Sequence, residues 1–252
     1  MRLLLKLLIL SIVFNLCKSF TPSKDTLFFE DFQDVSKDNK WVKSSNTDYS
    51  GVIEFKAAND PVDANDTSMV FTELAKKYAI TSKLNKPIIN KDKDLIVQYE
   101  VQFQEGITCG GSYVKLYSES EKEFEADQVK SDTPYSIMFG PDVCNPNNRI
   151  HFIVRHQNPI TKEYEEKLIT AKPPVRTDKI SHVYTLHIRP DNTFSILVDG
   201  ESVLDGNFHD AFTPAFNPPK QIDDPTDSKP SDWVDQAEIP DPNAVRPDDW
   251  DE

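Results

Sequence analysis

Two segments carry most of the information in this sequence: CGGSYVKL at residues 109–116 and YSIMFGPDVC at residues 135–144. Each brings a cysteine, a tyrosine and a charged residue together within a few positions. If the first segment is a β-strand, Tyr113 and Lys115 share one face and Val114 points to the other. Tyrosine rings beside lysine and carboxylate groups offer both the flat apolar contact and the hydrogen bonds that bind a sugar. The two segments therefore predict a carbohydrate site.

Apolar and polar residues alternate elsewhere in the chain, through residues 97–103, 150–154 and 184–198. This period is typical of strands that bury one face. Within the last range, the turn formers Pro190-Asp191-Asn192 predict the tip of a hairpin. No comparably long helical pattern occurs. The sequence therefore predicts a mainly β fold, and about 200 residues suffice for one sandwich.

Residues 1–19 have a basic start, an apolar run and small residues at the end, which predicts a signal peptide. A membrane anchor is the alternative, but the run is short of the roughly 20 residues that span a bilayer. Cleavage would remove Cys17 and leave Cys109 and Cys144. In an oxidising compartment such a pair predicts a disulfide, worth about 3 to 4 kcal/mol in the chain-entropy model. Two unpaired buried thiols are the alternative.

Acidic residues are concentrated at the C-terminal end. The formal net charge is -14, which makes nucleic acid a poor partner. Residues 222–252 contain eleven Asp or Glu against Lys229 and Arg246, a net of -9. Eight of the 18 prolines lie from Pro214 onward. A globular part with mild charge is therefore followed by an acidic, proline-rich segment.

This acidic segment contains a repeat: IDDPTDSKPSDW at residues 222–233 recurs as IPDPNAVRPDDW at residues 239–250, offset by 17 residues. Composition alone favours a disordered acidic linker. The regular tryptophan favours an extended hairpin arm in which each Trp packs on a neighbouring strand.

The segments at 109–116 and 135–144 resemble signatures of the calnexin and calreticulin family, lectin chaperones of the endoplasmic reticulum, and the repeats resemble the proline-rich arm of that family. Residues 80–87 and 158–167 are closer to calnexin. The resemblance implies a concanavalin-like jelly-roll β-sandwich at residues 20–218, followed by the start of an arm at 219–252. It covers little more than the first half of a typical member, so we expect an incomplete sandwich and half an arm.

The function that this resemblance implies is a calcium-binding lectin chaperone in the endoplasmic-reticulum lumen, with a full-length form in the membrane of that compartment. Its ligands would be monoglucosylated N-glycans on unfolded glycoproteins. Binding of a thiol-disulfide oxidoreductase at the arm tip is expected to be lost, and the membrane anchor is expected to be absent from this chain. The alternative is an acidic interaction or calcium-buffering protein without lectin activity.

The family motifs imply that Tyr113, Lys115, Tyr135 and Met138 contact a terminal glucose, with Asp142 and Glu166 as further candidates. Without the motif, a lone Tyr or Lys would be an ordinary surface residue and Met138 would fill the core. The disulfide between Cys109 and Cys144 would hold the two segments in place for binding.

Asp31 and Asp66 are implied as calcium ligands, since calcium collects oxygens from distant parts of a chain. Solvated loop acids are the alternative for both. Asn65-Asp66-Thr67 is also an N-glycosylation sequon.

Enzymatic activity is not expected. Asp142 and Glu166 could be imagined as the carboxylate pair of a glycoside hydrolase. However, no closely spaced acidic motif, metal-ligand spacing of histidines or Ser-His arrangement accompanies them.

Overall fold

β-Strands make up nearly all the regular structure of residues 22–34, 40–118, 124–217, 221, 223–238 and 240–250, which this computed structural model describes. The predicted signal peptide lies outside these residues. The strands are β1 (Trp41–Lys43), β2 (Ile53–Lys56), β3 (Ser68–Phe71), β4 (Ile80–Ser82), β5 (Leu95–Gln102), β6 (Cys109–Gly111), β7 (Val114–Leu116), β8 (Ile137–Cys144), β9 (Asn147–Gln157), β10 (Tyr164–Ile169), β11 (Ser181–Ile188), β12 (Thr193–Val198), β13 (Glu201–Asn207) and β14 (Phe212–Thr213). A single turn of 3-10 helix, Ala126–Gln128, lies among them.

The longer strands form two antiparallel sheets. One has the order β14-β10-β9-β8-β6, with β7 also paired to β8, and the other has the order β13-β12-β11-β5. Two small ribbons, β1-β4 and β2-β3, accompany them. The chain divides into two compact units, the first ending at Phe216 and the second beginning at Asn217.

The core lies between the two large sheets, as the alternation of apolar and polar residues predicts. Phe152 of the first sheet and Phe194 of the second are both fully buried, and their ring centroids lie 5.2 Å apart in an edge-to-face contact. Burying each such ring contributes about 1.5 to 3 kcal/mol. The cluster also includes Phe139, Ile150, Tyr184, Leu186, Ile196, Val198 and Phe212. The predicted β-sandwich is therefore confirmed.

The predicted hairpin is the β11-β12 pair, with Tyr184 opposite Val198 and Ile188 opposite Phe194. Its tip contains Asn192 with a φ of 64°, a left-handed conformation that Asn tolerates better than most residues. The Asp191 side chain accepts a 2.9 Å hydrogen bond from the backbone nitrogen of Thr193. The hairpin turn predicted at Pro190-Asp191-Asn192 is therefore confirmed.

Strand β10 carries a lysine on the core side. Lys167 is 5% exposed, its ammonium donates a 3.0 Å hydrogen bond to the carbonyl of Ala215, and it pairs with Glu165. A buried lysine is tolerated only when its charge is compensated in this way. Lys167 therefore anchors the chain one residue before Phe216, where the first unit ends.

The second unit reproduces the sequence repeat as a repeat of turns. The backbone nitrogens of Asp227 and Ala244 donate to the carbonyls of Asp224 and Asp241, and those of Trp233 and Trp250 donate to Pro230 and Pro247. Both tryptophans are more than 60% exposed. The described residues of this unit contain no strand, so packing of each Trp on a neighbouring strand stays a prediction. In the described part of the whole chain, helices long and apolar enough to cross a membrane are absent.

Candidate carbohydrate site

One face of the first sheet gathers the residues that the motifs single out. Along β8, Met138, Gly140 and Asp142 share a face because side chains alternate. Lys115 on β7 lies directly opposite Met138. The outer face of this sheet, which points away from the core, is therefore the candidate site.

Tyr135, just before β8, links the two charged residues of the site. Its hydroxyl donates a 2.7 Å hydrogen bond to Oε1 of Glu166 on β10. The ammonium of Lys115 lies 4.6 Å from the centre of the Tyr135 ring and donates a 3.2 Å hydrogen bond to the Ser131 carbonyl. Glu166 on β10, Tyr135 before β8 and Lys115 on β7 thus form one continuous arrangement.

The protonation of these groups follows from their surroundings. Burial, together with the hydrogen bond to Glu166, raises the pKa of Tyr135 well above its usual range. Burial lowers the pKa of Lys115, and the charges of Glu166 and Asp132 oppose that shift. At neutral pH the phenol of Tyr135 therefore keeps its proton and donates a hydrogen bond to Glu166.

Tyr113 is partly exposed and is positioned by two glycines. A Cβ atom on Gly111 would lie 2.4 Å from ring atom Cε1 of Tyr113, so only glycine lets the ring rest there. Gly140 has a φ of 142°, and a Cβ there would lie 2.0 Å from the hydroxyl of Tyr99. That hydroxyl donates a 2.6 Å hydrogen bond to the Ser112 carbonyl. Strand β5 thereby fixes the backbone beside Tyr113 from the opposite sheet.

Met138 is buried, but outside the main core. It packs with Tyr135 and Ile153 in a small cluster on the candidate site's side of the sheet, together with Tyr117 and Leu168. Flexible thioether side chains adapt to irregular apolar surfaces. Met138 therefore forms an apolar floor beneath Tyr135.

Asp142 and Glu166 lie at opposite ends of this face. Oδ2 of Asp142 is 3.0 Å from Nε2 of His151. Asp142 on β8 pairs with Arg149 of β9, and Glu166 on β10 pairs with Arg155 of β9. Arg149 and Arg155 are six residues apart, which corresponds to about 20 Å along the strand. The two carboxylates of a glycoside hydrolase lie about 5 to 9.5 Å apart. This pair is too widely spaced for that chemistry.

Arg155 and Tyr164 also line the candidate site, although no sequence motif marked them. The Arg155 guanidinium lies 3.9 Å from the centre of the Tyr164 ring. Both line a cavity of about 220 Å³ with Tyr135, Glu166 and residues 131–134. Tyr164 is two positions before Glu166 on β10, so strand alternation would have placed it on the same face.

Tyr117 and Tyr49 also lie close to the candidate site, although the sequence analysis did not single them out. Burial raises the pKa of Tyr117 to about 12, with added contributions from Tyr49 and Tyr113. Burial also raises the pKa of Tyr113, reinforced by Asp142 and Tyr49. Tyr49 is distant in sequence and becomes a neighbour only through the fold.

Cys109 and Cys144 form a disulfide with an S–S distance of 2.02 Å. The two residues are directly opposite each other on β6 and β8. The next pairs in register are Gly110 with Val143 and Gly111 with Asp142. The disulfide therefore holds β6, whose Gly111 lies beneath the Tyr113 ring, against β8.

The proposed calcium residues, Asp31 and Asp66, meet around the side chain of Gln33. Its amide nitrogen lies 2.8 Å from the Asp31 carbonyl, 2.7 Å from Oδ1 of Asp66 and 3.1 Å from the Thr67 carbonyl. Carboxylate and carbonyl oxygens are the ligands that calcium prefers. Among the described residues, no cluster of three or more His, Cys, Asp or Glu side chains suits a metal. The Asp66 carboxylate and the carbonyls of Asp31 and Thr67 are three oxygens of the type that calcium binds, out of the six to eight that it takes.

Fold and site together define a lectin-type jelly-roll β-sandwich protein with a tyrosine-rich outer face. The calreticulin family profile matches residues 28–252. The chain belongs to the calreticulin family.

Individual relatives agree with this assignment. The chain is 46% identical over 232 residues to a calnexin homolog of Aspergillus fumigatus, covering 87% of this chain and 41% of the relative. It is 44% identical over 202 residues to calmegin of Bos taurus, covering 78% of this chain and 33% of the relative. The globular domain of Trypanosoma cruzi calreticulin superposes with a TM-score of 0.68 at 31% identity, covering 83% of this chain and 75% of that one. The chain thus spans about two-fifths or less of the length of these curated relatives.

Proposed function

We propose that this protein is a lectin chaperone of the endoplasmic-reticulum lumen that binds monoglucosylated N-glycans on unfolded glycoproteins. The observation that carries the proposal is the arrangement of Lys115, Tyr135 and Glu166 over an apolar floor. Family membership and the predicted signal peptide support the cellular setting.

The chemistry of this arrangement suits a hexose. Glu166 keeps acceptor positions beyond the one that Tyr135 uses. The Lys115 ammonium keeps hydrogens to donate beyond the one that the Ser131 carbonyl accepts. Tyr113 and Met138 offer apolar surface to the C–H face of a ring. Hydroxyl groups that meet these partners exchange hydrogen bonds with water for charge-assisted ones in the site.

The shape of the face favours an oligosaccharide over a single sugar. About 20 Å of strand separates the positions of Asp142 and Glu166, with Tyr113, Lys115 and Met138 between them. The Arg155 and Tyr164 cavity lies next to Glu166. The proposed ligand is therefore a glucose-terminated chain whose further residues extend along the sheet.

Binding without turnover is part of the proposal. The two carboxylates are too far apart to act across one glycosidic bond. Each has a neighbouring side chain as partner, His151 for Asp142 and Tyr135 for Glu166. We expect the protein to release no glucose from a monoglucosylated oligosaccharide.

Calcium is proposed as a structural cofactor. The Asp66 carboxylate and the carbonyls of Asp31 and Thr67 would hold the ion. When bound, the ion supplies positive charge that draws these oxygens together. The residues themselves join the segment before β1 to the loop that precedes β3.

Calorimetric titration of the purified protein tests the proposal, with a monoglucosylated oligosaccharide and with the same oligosaccharide lacking glucose. We expect saturable binding of the first ligand alone. Lys115→Ala should weaken binding at least 10-fold, since charge-assisted hydrogen bonds contribute about 1.5 to 3 kcal/mol. Lys56→Ala is the matched control, because Lys56 is exposed and pairs with Glu54 on β2.

The outcome also separates the two candidate functions. A cooperative thermal transition without glycan binding would refute the lectin proposal and favour the acidic interaction protein. Equal binding with and without the terminal glucose would reject the stated specificity.

A further inference from the structure

The side-chain amide of Gln33 lies where oxygens converge from two separate segments. Its Nε2 atom is within 3.1 Å of the Asp31 carbonyl, Oδ1 of Asp66 and the Thr67 carbonyl. Its Oε1 atom accepts a 3.2 Å hydrogen bond from the Thr67 backbone nitrogen. Gln33 therefore bridges residues 31 and 66–67 with both ends of one amide.

The nitrogen has fewer hydrogens than oxygen neighbours. A primary amide carries two N–H groups, whereas three oxygens surround this one, and the Asp66 oxygen belongs to a carboxylate. Such an oxygen-rich position with negative charge suits a cation better than a neutral amide. Here the Gln33 nitrogen supplies the hydrogens that these oxygens accept.

The same side chain can also serve a bound ion. Rotating the terminal amide by half a turn exchanges nitrogen and oxygen with almost no change in shape. The rotation gives up the hydrogen bond from the Thr67 backbone nitrogen, an exposed contact that water can replace. The Gln33 carbonyl oxygen would then face the three protein oxygens as a fourth ligand. Asn and Gln carbonyls are established types of calcium ligand in proteins.

We propose that Gln33 is a calcium-responsive residue, which bridges the ligand oxygens as a hydrogen-bond donor without the ion and contributes its own oxygen when the ion binds. This inference rests on the calcium site of the proposed function.

Packing of neighbouring side chains holds the backbone around Gln33 in place. Phe32, next to Gln33, has a φ of 58°, which is rare for a bulky residue. Its ring lies between Trp41 and Phe55, with centroid distances of 5.9 and 6.0 Å. Trp41 in turn donates a 2.8 Å hydrogen bond to Glu30. The backbone that presents the Asp31 carbonyl and Gln33 is therefore positioned before binding, which lowers the ordering cost of binding.

Two substitutions of Gln33 separate its roles. Gln33→Met removes both polar atoms at similar length, and Gln33→Glu replaces the amide with a second carboxylate. Gln104→Met is the matched control, because Gln104 is a partly exposed glutamine whose side chain also accepts a hydrogen bond from a distant backbone nitrogen, that of Asn59. Calcium affinity is measured by calorimetry, and the Tm is measured in calcium and in chelator.

We expect Gln33→Met to weaken calcium binding at least 10-fold and to lower the Tm in chelator, since the bridge is lost. Gln33→Glu should tighten calcium binding at least 10-fold. It should also increase the Tm shift that calcium causes, because the ion relieves repulsion between carboxylates. Gln104→Met should leave the calcium affinity within a factor of two.

Other outcomes overturn the inference in distinguishable ways. If the wild type binds calcium and Gln33→Met binds it equally well or better, Gln33 is not a ligand although the calcium site stands. If the wild type binds no calcium, both the calcium part of the proposed function and this inference fail. If Gln33→Glu binds calcium no more tightly than the wild type, the ion does not contact residue 33.

Discussion

The ring of Tyr113 rests on Gly111 so closely that a Cβ atom at residue 111 would lie 2.4 Å from ring atom Cε1. The glycine preceding it is not under the same constraint, since a Cβ on Gly110 would meet only Ile107, at 4.0 Å. Two adjacent glycines in one motif thus have different roles.

Gly111→Ala should therefore weaken binding of a monoglucosylated oligosaccharide at least 10-fold, because the Tyr113 ring must leave its position. The ring is the mobile end of a partly exposed side chain, so we expect a Tm change of only a few degrees. Calorimetric titration and a thermal melt measure the two effects. Gly110→Ala is the control and should bind like the wild type; equal losses in both variants would contradict the assigned role of Gly111.

Tyr164→Ala should distinguish long from short ligands. Tyr164 lines the cavity beside Glu166, and Arg155 covers one face of its ring. An aromatic contact contributes about 0.5 to 1.5 kcal/mol, or roughly 2- to 13-fold in affinity. We expect that loss with a glucose-terminated tetrasaccharide and little change with a glucose-terminated disaccharide.

Ile160→Ala serves as the control for Tyr164→Ala, because Ile160 is 88% exposed in the neighbouring loop and does not line the cavity. An equal effect of Tyr164→Ala on both ligands would mean that Tyr164 supports the glucose position itself.

His182 should make the stability of the fold depend on pH. Nδ1 lies 2.7 Å from Asp199 and Nε2 lies 2.9 Å from Asp178, and the side chain is nearly buried. Burial alone would lower the pKa of His182, but the hydrogen bonds to Asp199 and Asp178 outweigh it and raise the pKa above 6.5. Arg176 is a further charged group that affects both carboxylates.

Since the pKa is raised in the folded state, the stabilisation is complete below about pH 6.5. It is lost as the pH rises through the higher folded-state value. Relative to the wild type, His182→Gln should lower the Tm at pH 5.5 to 6 by several degrees and have a smaller effect at pH 9. His187→Gln, whose single carboxylate partner is Asp94, is the comparison. An unchanged pH profile of the Tm in His182→Gln would contradict this explanation.

Removing the disulfide should reduce both stability and binding. Cys109 and Cys144 close a loop with a sequence separation of 35, for which the chain-entropy model gives about 3 to 4 kcal/mol. The double variant Cys109→Ser, Cys144→Ser should melt roughly 10 °C below the wild type. It should also bind glycan less tightly, because β6 supports the Tyr113 ring. Wild-type protein that melts identically with and without reductant would argue against this contribution.

The strands that the sequence predicted are those with regular alternation. β5, β11 and β12 follow the apolar period because each buries one face against a single core. The ribbon of β1 and β4 was not predicted, since it pairs Trp41 with Ser82 and buries no continuous apolar stripe. This ribbon depends on packing between segments that are distant in sequence, and the local alternation of apolar and polar residues does not reveal such packing.

The site was predictable only in part for the same reason. Family motifs named Tyr113, Lys115, Tyr135 and Glu166, but the contact between Tyr135 and Glu166 depends on the register of β8, β9 and β10. Gln33 carried no signal at all, since its partner Asp66 is 33 residues away.

Strand β10 presents Glu166 on the face of the candidate carbohydrate site and buries Lys167, the next residue, on the core side. Adding or deleting one residue within Tyr164–Glu166, inside the strand, would turn the following side chains to the opposite face. The lysine would then enter the candidate carbohydrate site. The carboxylate would enter the core beside the Ala215 carbonyl, which is itself an acceptor and could not pair with it. The length of this segment is therefore under stricter constraint than the identity of its exposed residues.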